Sequence, residues 1–164
     1  MILVTVGTHR MPFDRLLVAV DAAHRDGLLG PGEVVVQSGS CRHRCAGVRQ
    51  VPYLPGEEFD SLLGRAELVI SHGGIGTVLT ALRLGKHLIA VPRLRRFGEH
   101  NNDHQVQVCT ELARERALFT SDDARQLPIL LARDPAELVP FDPPAGIVAA
   151  VADDLRNFTQ RARR

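Results

Sequence analysis

Between Glu67 and Pro92 the chain reads ELVISHGGIGTVLTALRLGKHLIAVP, and no other stretch restricts the fold as much. Leu68–Val69–Ile70 is a short apolar run suited to a buried strand. Ser71–His72–Gly73–Gly74 breaks it with small residues. Ile75, Val78, Leu79 and Leu82 then recur at i, i+3, i+4 and i+7, one face of a helix. Gly85 ends that helix, and Lys86 suits its negative end. His87–Val91 is a second strand, closed by Pro92. The unit is strand, glycine turn, helix, strand. Free N–H groups and the helix dipole at such a turn favour an anion, and glycine lets a phosphate approach the backbone. A tight turn with no ligand also accounts for Gly73, Gly74 and Gly76, so the turn alone does not decide.

At 164 residues the chain is long enough for one domain with an appendage. A domain of this length buries roughly two-thirds of its unfolded surface. A net charge of +1 implies no strong field towards nucleic acid or anionic membrane. Lys86 is the single lysine, and the arginine excess reads as genome bias. Three cysteines argue against a disulfide framework. Cys41 and Cys45 flank Arg42–His43–Arg44, but a Cys-x-His-x-Cys metal site lacks its fourth ligand and the usual spacing. The preferred reading is a loop with free thiols in a reducing compartment. The apolar start Met1–Val6 is too short for a signal sequence or membrane span, and no basic region precedes it. A soluble, cytoplasmic protein is expected.

Strands and helices alternate along the chain. Ile2–Val6 reads as a strand, Gly7–Arg10 as a turn, and Pro12 as the first turn of a helix carrying Phe13, Leu16, Leu17 and Val20. A strand over Glu33–Gln37 precedes the Ser38–Gly47 loop. Val48–Val51 is a short strand, and Glu57–Arg65 a short helix. After Pro92 comes a polar loop with Arg93, Arg95 and Arg96, read as a solvated surface. Asp103–Arg116 is the next helix, capped by Asn102 or Asp103. Leu118–Phe119 is a last strand, and Asp122–Arg133 is helical despite Pro128. The expected organisation is a Rossmann-like α/β domain over 1–133, a proline-rich linker over 134–144 and an amphipathic helix over 145–164. Alternation with short connections means a parallel sheet wrapped by helices, which binds ligands beyond its C-terminal strand ends. Both glycine turns lie at that edge. No Gly-x-Gly-x-x-Gly follows the first strand, which disfavours an NAD protein.

The string Ser71-His72-Gly73-Gly74-Ile75-Gly76-Thr77, the helix, Gly85-Lys86, a strand ending Val91-Pro92-Arg93, then Gly98-Glu99-His100 and Asp103-His104-Gln105 resembles the nucleotide-sugar half of a GT-B glycosyltransferase. More narrowly it resembles the C-terminal domain of glycosyltransferase family 28. Its split members are most alike: PssE-type exopolysaccharide subunits and the soluble subunit of the dolichol-linked N-acetylglucosaminyltransferase. The likeness runs from Met1 to about Phe119 and is strongest over Val69–Gln105.

The resemblance implies a donor-binding catalytic subunit of an inverting, UDP-sugar-dependent hexosyltransferase. It implies a membrane-anchored acceptor subunit as partner and a lipid-linked saccharide as acceptor, with recruitment to the inner face of the membrane. A non-catalytic nucleotide-binding subunit is the alternative. Ser71, His72, Gly73, Gly74, Gly76 and Thr77 would hold the diphosphate. Backbone N–H groups there stabilise leaving-group charge without a metal, and no Asp-x-Asp motif is evident. Glu99, Asp103, His104 and Gln105 would face the hexose. Gly7, Thr8 and His9 fit either contacts across the cleft or a solvated loop. His9 and His104 are the candidate bases. Relatives commonly place an acid in the early helix to clasp the ribose. Here that position is Thr80, which carries no charge.

Overall fold

The computed structural model describes residues 1–141. Six parallel strands form one sheet in the order β3-β2-β1-β4-β5-β6. They are β1 (Ile2–Thr5), β2 (Val34–Gln37), β3 (Arg49–Val51), β4 (Leu68–Ser71), β5 (His87–Ala90) and β6 (Phe119–Thr120). The chain builds outward from β1 in one direction, then returns to β4 and builds in the other. The switch point is therefore between β1 and β4, which pair from Ile2 with Leu68 to Thr5 with Ser71. Open parallel sheets of this order leave a crevice there, beyond the strand ends.

Alternation along each strand splits the core in two. Ile2, Val4, Val34, Val36, Ile70, Ile89 and Val91 face α1 (Asp14–Arg25) and α5 (Leu127–Leu131). Leu3, Val35, Val69, Leu88 and Ala90 face α2 (Gly56–Arg65), α3 (Ile75–Arg83) and α4 (His104–Arg114). Burial on both faces is why the strands are near-continuous Val, Ile and Leu rather than alternating with polar residues. Among the described residues no helix is long and apolar enough to cross a membrane.

Several boundaries move for identifiable reasons. Helix α1 starts at Asp14, after Pro12, because Phe13 is drawn out of helical geometry. Its N–H donates to Cys41 Sγ at 3.0 Å. The Asp14 carboxylate accepts from the N–H groups of Arg42 and His43. Asp103 is the N-cap residue of α4 but makes no side-chain capping bond, because its carboxylate accepts from Arg95 N–H; the Oδ1 of Asn102 accepts from His104 N–H instead. Helix α3 ends as its composition requires, with Gly85 at φ +63°. Lys86, however, donates to the Gly64 carbonyl of α2 rather than to its own helix. The helix expected over Asp122–Arg133 is a 3-10 turn, Ala124–Gln126, followed by α5. Pro128 thus falls in a first turn, where its missing N–H does no harm.

Two expectations need correction. The proline-rich stretch 134–144 does not run free in its described part. Asp134 and Glu137 make a capping box around a 3-10 turn at Pro135–Glu137. Val139 N–H donates to the Arg116 carbonyl, and Leu138 and Phe141 pack on the two halves of the core. The helix expected over 145–164 lies outside the described residues. Arg93, expected at a solvated surface with Arg95 and Arg96, is wholly buried, while the other two are exposed.

Arg93 donates to the carbonyls of Met11 (2.6 Å), Glu99 (3.0 Å) and Val6 (2.7 Å). Its guanidinium also lies over the Phe13 ring. Arg93→Met should lower the unfolding free energy by about 3 kcal/mol, because three buried carbonyls lose their donor. Urea denaturation of the two proteins measures the difference.

Candidate functional site

A pocket of about 330 Å³ opens at the β1–β4 switch point. Its walls are Gly7 and Thr8 after β1, His72 and Gly74 after β4, and Ile75, Gly76 and Thr77 of α3. Thr5 and Gln37, at the ends of β1 and β2, and Leu54, Gly56 and Phe59, from β3 into α2, complete it. The first helical hydrogen bond of α3 runs from Val78 N–H to the Gly74 carbonyl. The N–H groups of Ile75, Gly76 and Thr77 therefore lie in the unpaired first turn, at the positive end of the helix dipole. The pocket has a donor-rich wall and, from Leu54 and Phe59, an apolar one.

His72 is buried under the turn, with 8% of its surface exposed. A Cβ on Gly7 would sit 2.5 Å from its Nε2, and one on Gly74 only 2.3 Å from it. Both glycines are thus required to admit the imidazole. Gly73 has a different reason: φ is +78°, and a Cβ would meet Cys109 Sγ at 2.6 Å. Ser71 lies behind the turn, where its Oγ accepts from Gly73 N–H. Burial pushes the His72 pKa down to about 3, with the Arg93 charge adding to the effect. His72 is neutral at pH 7, so backbone N–H groups, not an imidazolium, make this wall attractive to anions.

The second set of expected residues does not line this pocket. Glu99 is 95% removed from solvent, and its carboxylate forms a two-point pair with Arg15 (3.0 and 2.9 Å). It also accepts from Leu94 N–H. The Gln105 Oε1 accepts from Arg93 N–H. Glu99, Asp103 and Gln105 each fasten part of the loop between β5 and α4. His104 is exposed at the start of α4, with Nδ1 3.1 Å from Gln107 Oε1.

The two candidate bases differ in tautomer. His9 stacks on His100 at 4.9 Å, and burial followed by the charges of His100 and Arg93 lowers its pKa. Its Nδ1 accepts from Met11 N–H, so neutral His9 carries its proton on Nε2 and can only donate there. In His104, donation from Nδ1 to Gln107 leaves the Nε2 lone pair free. Thr80 is exposed, and its hydroxyl donates to the Gly76 carbonyl at 2.9 Å. The residues missed by sequence reasoning were Thr5, Gln37, Leu54, Gly56, Phe59 and Ile75. A polar residue closing a buried strand was the available signal for Thr5 and Gln37.

The His72 shift has a consequence for stability. The unfolded histidine titrates near pH 6.5, the folded one near 3. Above pH 6.5 the group is neutral in both states and has no effect. As pH falls from 6.5 towards 3, only the unfolded chain takes up the proton, so stability is lost. The full effect is on the order of 5 kcal/mol. Urea denaturation between pH 7 and 4 should show the fall, and His72→Gln should flatten it.

The comparisons agree with this geometry. The glycosyltransferase family 28 C-terminal domain matches residues 1–128. A subunit named UDP-N-acetylglucosamine transferase subunit ALG13, from Yarrowia lipolytica, is 32% identical over 175 residues, covering 96% of this chain and 85% of that protein. Among solved structures, the glycotransferase of kitacinnamycin superposes with a TM-score of 0.59 at 22% identity, over 83% of this chain and 35% of that one. UDP-glucose: anthocyanidin 3-O-glucosyltransferase, solved with UDP, gives 0.55 at 15% identity, over 83% and 32%. At these identities the superpositions speak for the fold, and the chain spans about a third of those structures. Sheet order, glycine turn and family match agree: the chain belongs to the glycosyltransferase family 28 C-terminal domain family and has the fold of the C-terminal half of a GT-B glycosyltransferase.

Proposed function

We propose that this chain is the donor-binding catalytic subunit of a two-component, UDP-sugar-dependent hexosyltransferase. The observation that carries the reading is the pocket at the switch point, where the unpaired N–H groups of α3 stand opposite an apolar wall. A diphosphate fits the N–H groups, and a base or sugar face fits Leu54 and Phe59. UDP-N-acetylglucosamine is the first donor to test, because the Yarrowia relative is named for it.

In the reaction the acceptor hydroxyl oxygen attacks C1 of the sugar. The bond from C1 to the diphosphate oxygen breaks, and UDP leaves with the electron pair. A single displacement inverts the configuration at C1. Charge grows on the diphosphate as it leaves, and fixed N–H dipoles stabilise it without reorganising. The residues need no metal for that step. The hydroxyl proton goes to a base on the acceptor half or to His104, whose Nε2 is free. The acceptor half is proposed to be a separate, membrane-anchored chain presenting a lipid-linked saccharide. The word subunit in the relative's name supports a partner.

One observation favours a second reading, a nucleotide-binding subunit without turnover. The Thr80 hydroxyl is already committed to Gly76, so the ribose clasp found in relatives is missing.

Calorimetric titration with UDP, UDP-N-acetylglucosamine, UDP-glucuronate and UDP-galactose tests the proposal. UDP should bind, with added affinity for one sugar. Thr77→Glu should weaken UDP binding about tenfold or more without lowering stability, because an acid in the first turn suits the helix but repels the diphosphate. No binding, or binding indifferent to Thr77→Glu, would sink the assignment of this pocket. Thr80→Glu should tighten UDP by restoring a two-point ribose contact. Sugar transfer on adding a membrane-anchored acceptor subunit separates the two readings, since only the catalytic one predicts turnover.

A further inference from the structure

The loop between β2 and β3 holds a second constellation, away from the residues that line the pocket. Asp21 of α1 and His43 and Cys45 of the loop each offer one ligand atom, and the three atoms all lie within 4.8 Å of one another. The sequence lacked a further donor for the Cys-x-His-x-Cys run. The fold brings one in from α1, and it uses Cys45 but not Cys41, whose Sγ faces Phe13 N–H.

We propose that Asp21, His43 and Cys45 bind one zinc-class divalent cation, with water completing a tetrahedron. A tetrahedral ion with bonds of about 2.0–2.3 Å sets its ligand atoms roughly 3.3–3.8 Å apart. His43 Nε2 and Asp21 Oδ2 are already 3.2 Å apart. Closure therefore asks for side-chain movements of about an ångström. A thiolate, an imidazole and a carboxylate together suit zinc and its neighbours, not magnesium or calcium.

The backbone that carries the ligands is braced on several sides. Gln50 accepts from Cys45 N–H (2.8 Å) and donates to the His43 carbonyl (2.9 Å). Asp14 accepts from His43 N–H (2.7 Å). Asp21 Oδ1 accepts from Ala46 N–H (2.9 Å), which leaves Oδ2 turned towards His43. Such outer contacts hold ligands in place before the ion arrives. A hydrogen bond from His43 to Asp21 would account for those two side chains alone. Cys45 lies beside them, with its thiol donating to the Leu17 carbonyl at 3.6 Å, and that bond gives way when the thiolate forms. Arg25 competes for Asp21 Oδ2 at 3.8 Å, but its side chain is 65% exposed and free to swing away. With its side chain 28% exposed, His43 gives the fourth position access to water.

The loop also touches the turn beside the donor pocket. Ser40 Oγ donates to the His9 and Arg10 carbonyls. A cation at Asp21, His43 and Cys45 would stiffen that turn from outside the pocket.

Zn²⁺ and Co²⁺ titrations of the full, reduced chain test the site. One equivalent of Zn²⁺ should bind, and Co²⁺ should give a thiolate charge-transfer band. His43→Gln and Cys45→Ser should each weaken Zn²⁺ by about tenfold or more. Cys41→Ser should leave affinity unchanged. Circular dichroism checks each fold; if Cys45→Ser does not fold, the partly exposed His43→Gln decides. No saturable one-to-one uptake, uptake indifferent to His43→Gln, or a Co²⁺ spectrum without the thiolate band would overturn the proposal.

Discussion

The guanidinium of Arg93 joins the parts on which the site depends. It reaches the carbonyl of Val6 at the end of β1, that of Met11 before α1 and that of Glu99 before α4. The two loops that leave β1 and β5 are thereby held together at one edge of the sheet. Burying an unpaired cation would be prohibitive, so the carbonyls must stay where they are. Burial lowers the Arg93 pKa, and the Glu99 charge works against that shift. Glu99 is itself held by Arg15, whose guanidinium also reaches the carbonyls of Pro92 and Asp122. The acid expected to face a sugar is part of the frame around the site.

His72 gives that frame its close-packed floor. Its ring fills the space beside two glycines, and no side chain could stand at either position without displacing it. Close packing of this kind transmits small changes, because neither backbone turn can yield alone. The Gly73 turn is packed from the other side by Cys109 of α4. Burial holds the Cys109 thiol up at about pKa 12, so it serves as an apolar contact. The first turn of α3 is therefore positioned by His72 on one side of the glycine turn and Cys109 on the other. Electrostatic preorganisation needs such support, since dipoles that could turn away would lose their effect.

The loop from Ser38 to Gly47 shows the same logic on the other side of β1. Asp14 and Asp21 of α1 and Gln50 of β3 satisfy its backbone N–H groups. A long irregular segment can pack this closely only when its polar groups find partners inside the protein. That requirement brings a carboxylate of α1 next to His43 and Cys45.

Most of the fold was legible in the sequence because burial on both sheet faces leaves a local mark. Runs such as Leu3–Val4 and Val34–Val36, with glycines at the turns, set strand after strand, and the amphipathic period set α1 and α3. The glycine turn with its following helix also marked one wall of the pocket at the switch point. What the sequence left open depended on partners far along the chain. Arg93 reads as a surface residue until β1 and the turn before α1 supply its acceptors, 87 and 82 residues away. Glu99 reads as a free acid until Arg15 arrives from α1, 84 residues away. Gly7 and Gly74 read as phosphate turns, yet the third dimension gives them a shared duty towards one histidine. Periodicity and turn chemistry act over a few residues and are written in order. Charge pairing and close packing act across the sheet, and only the folded chain decides them.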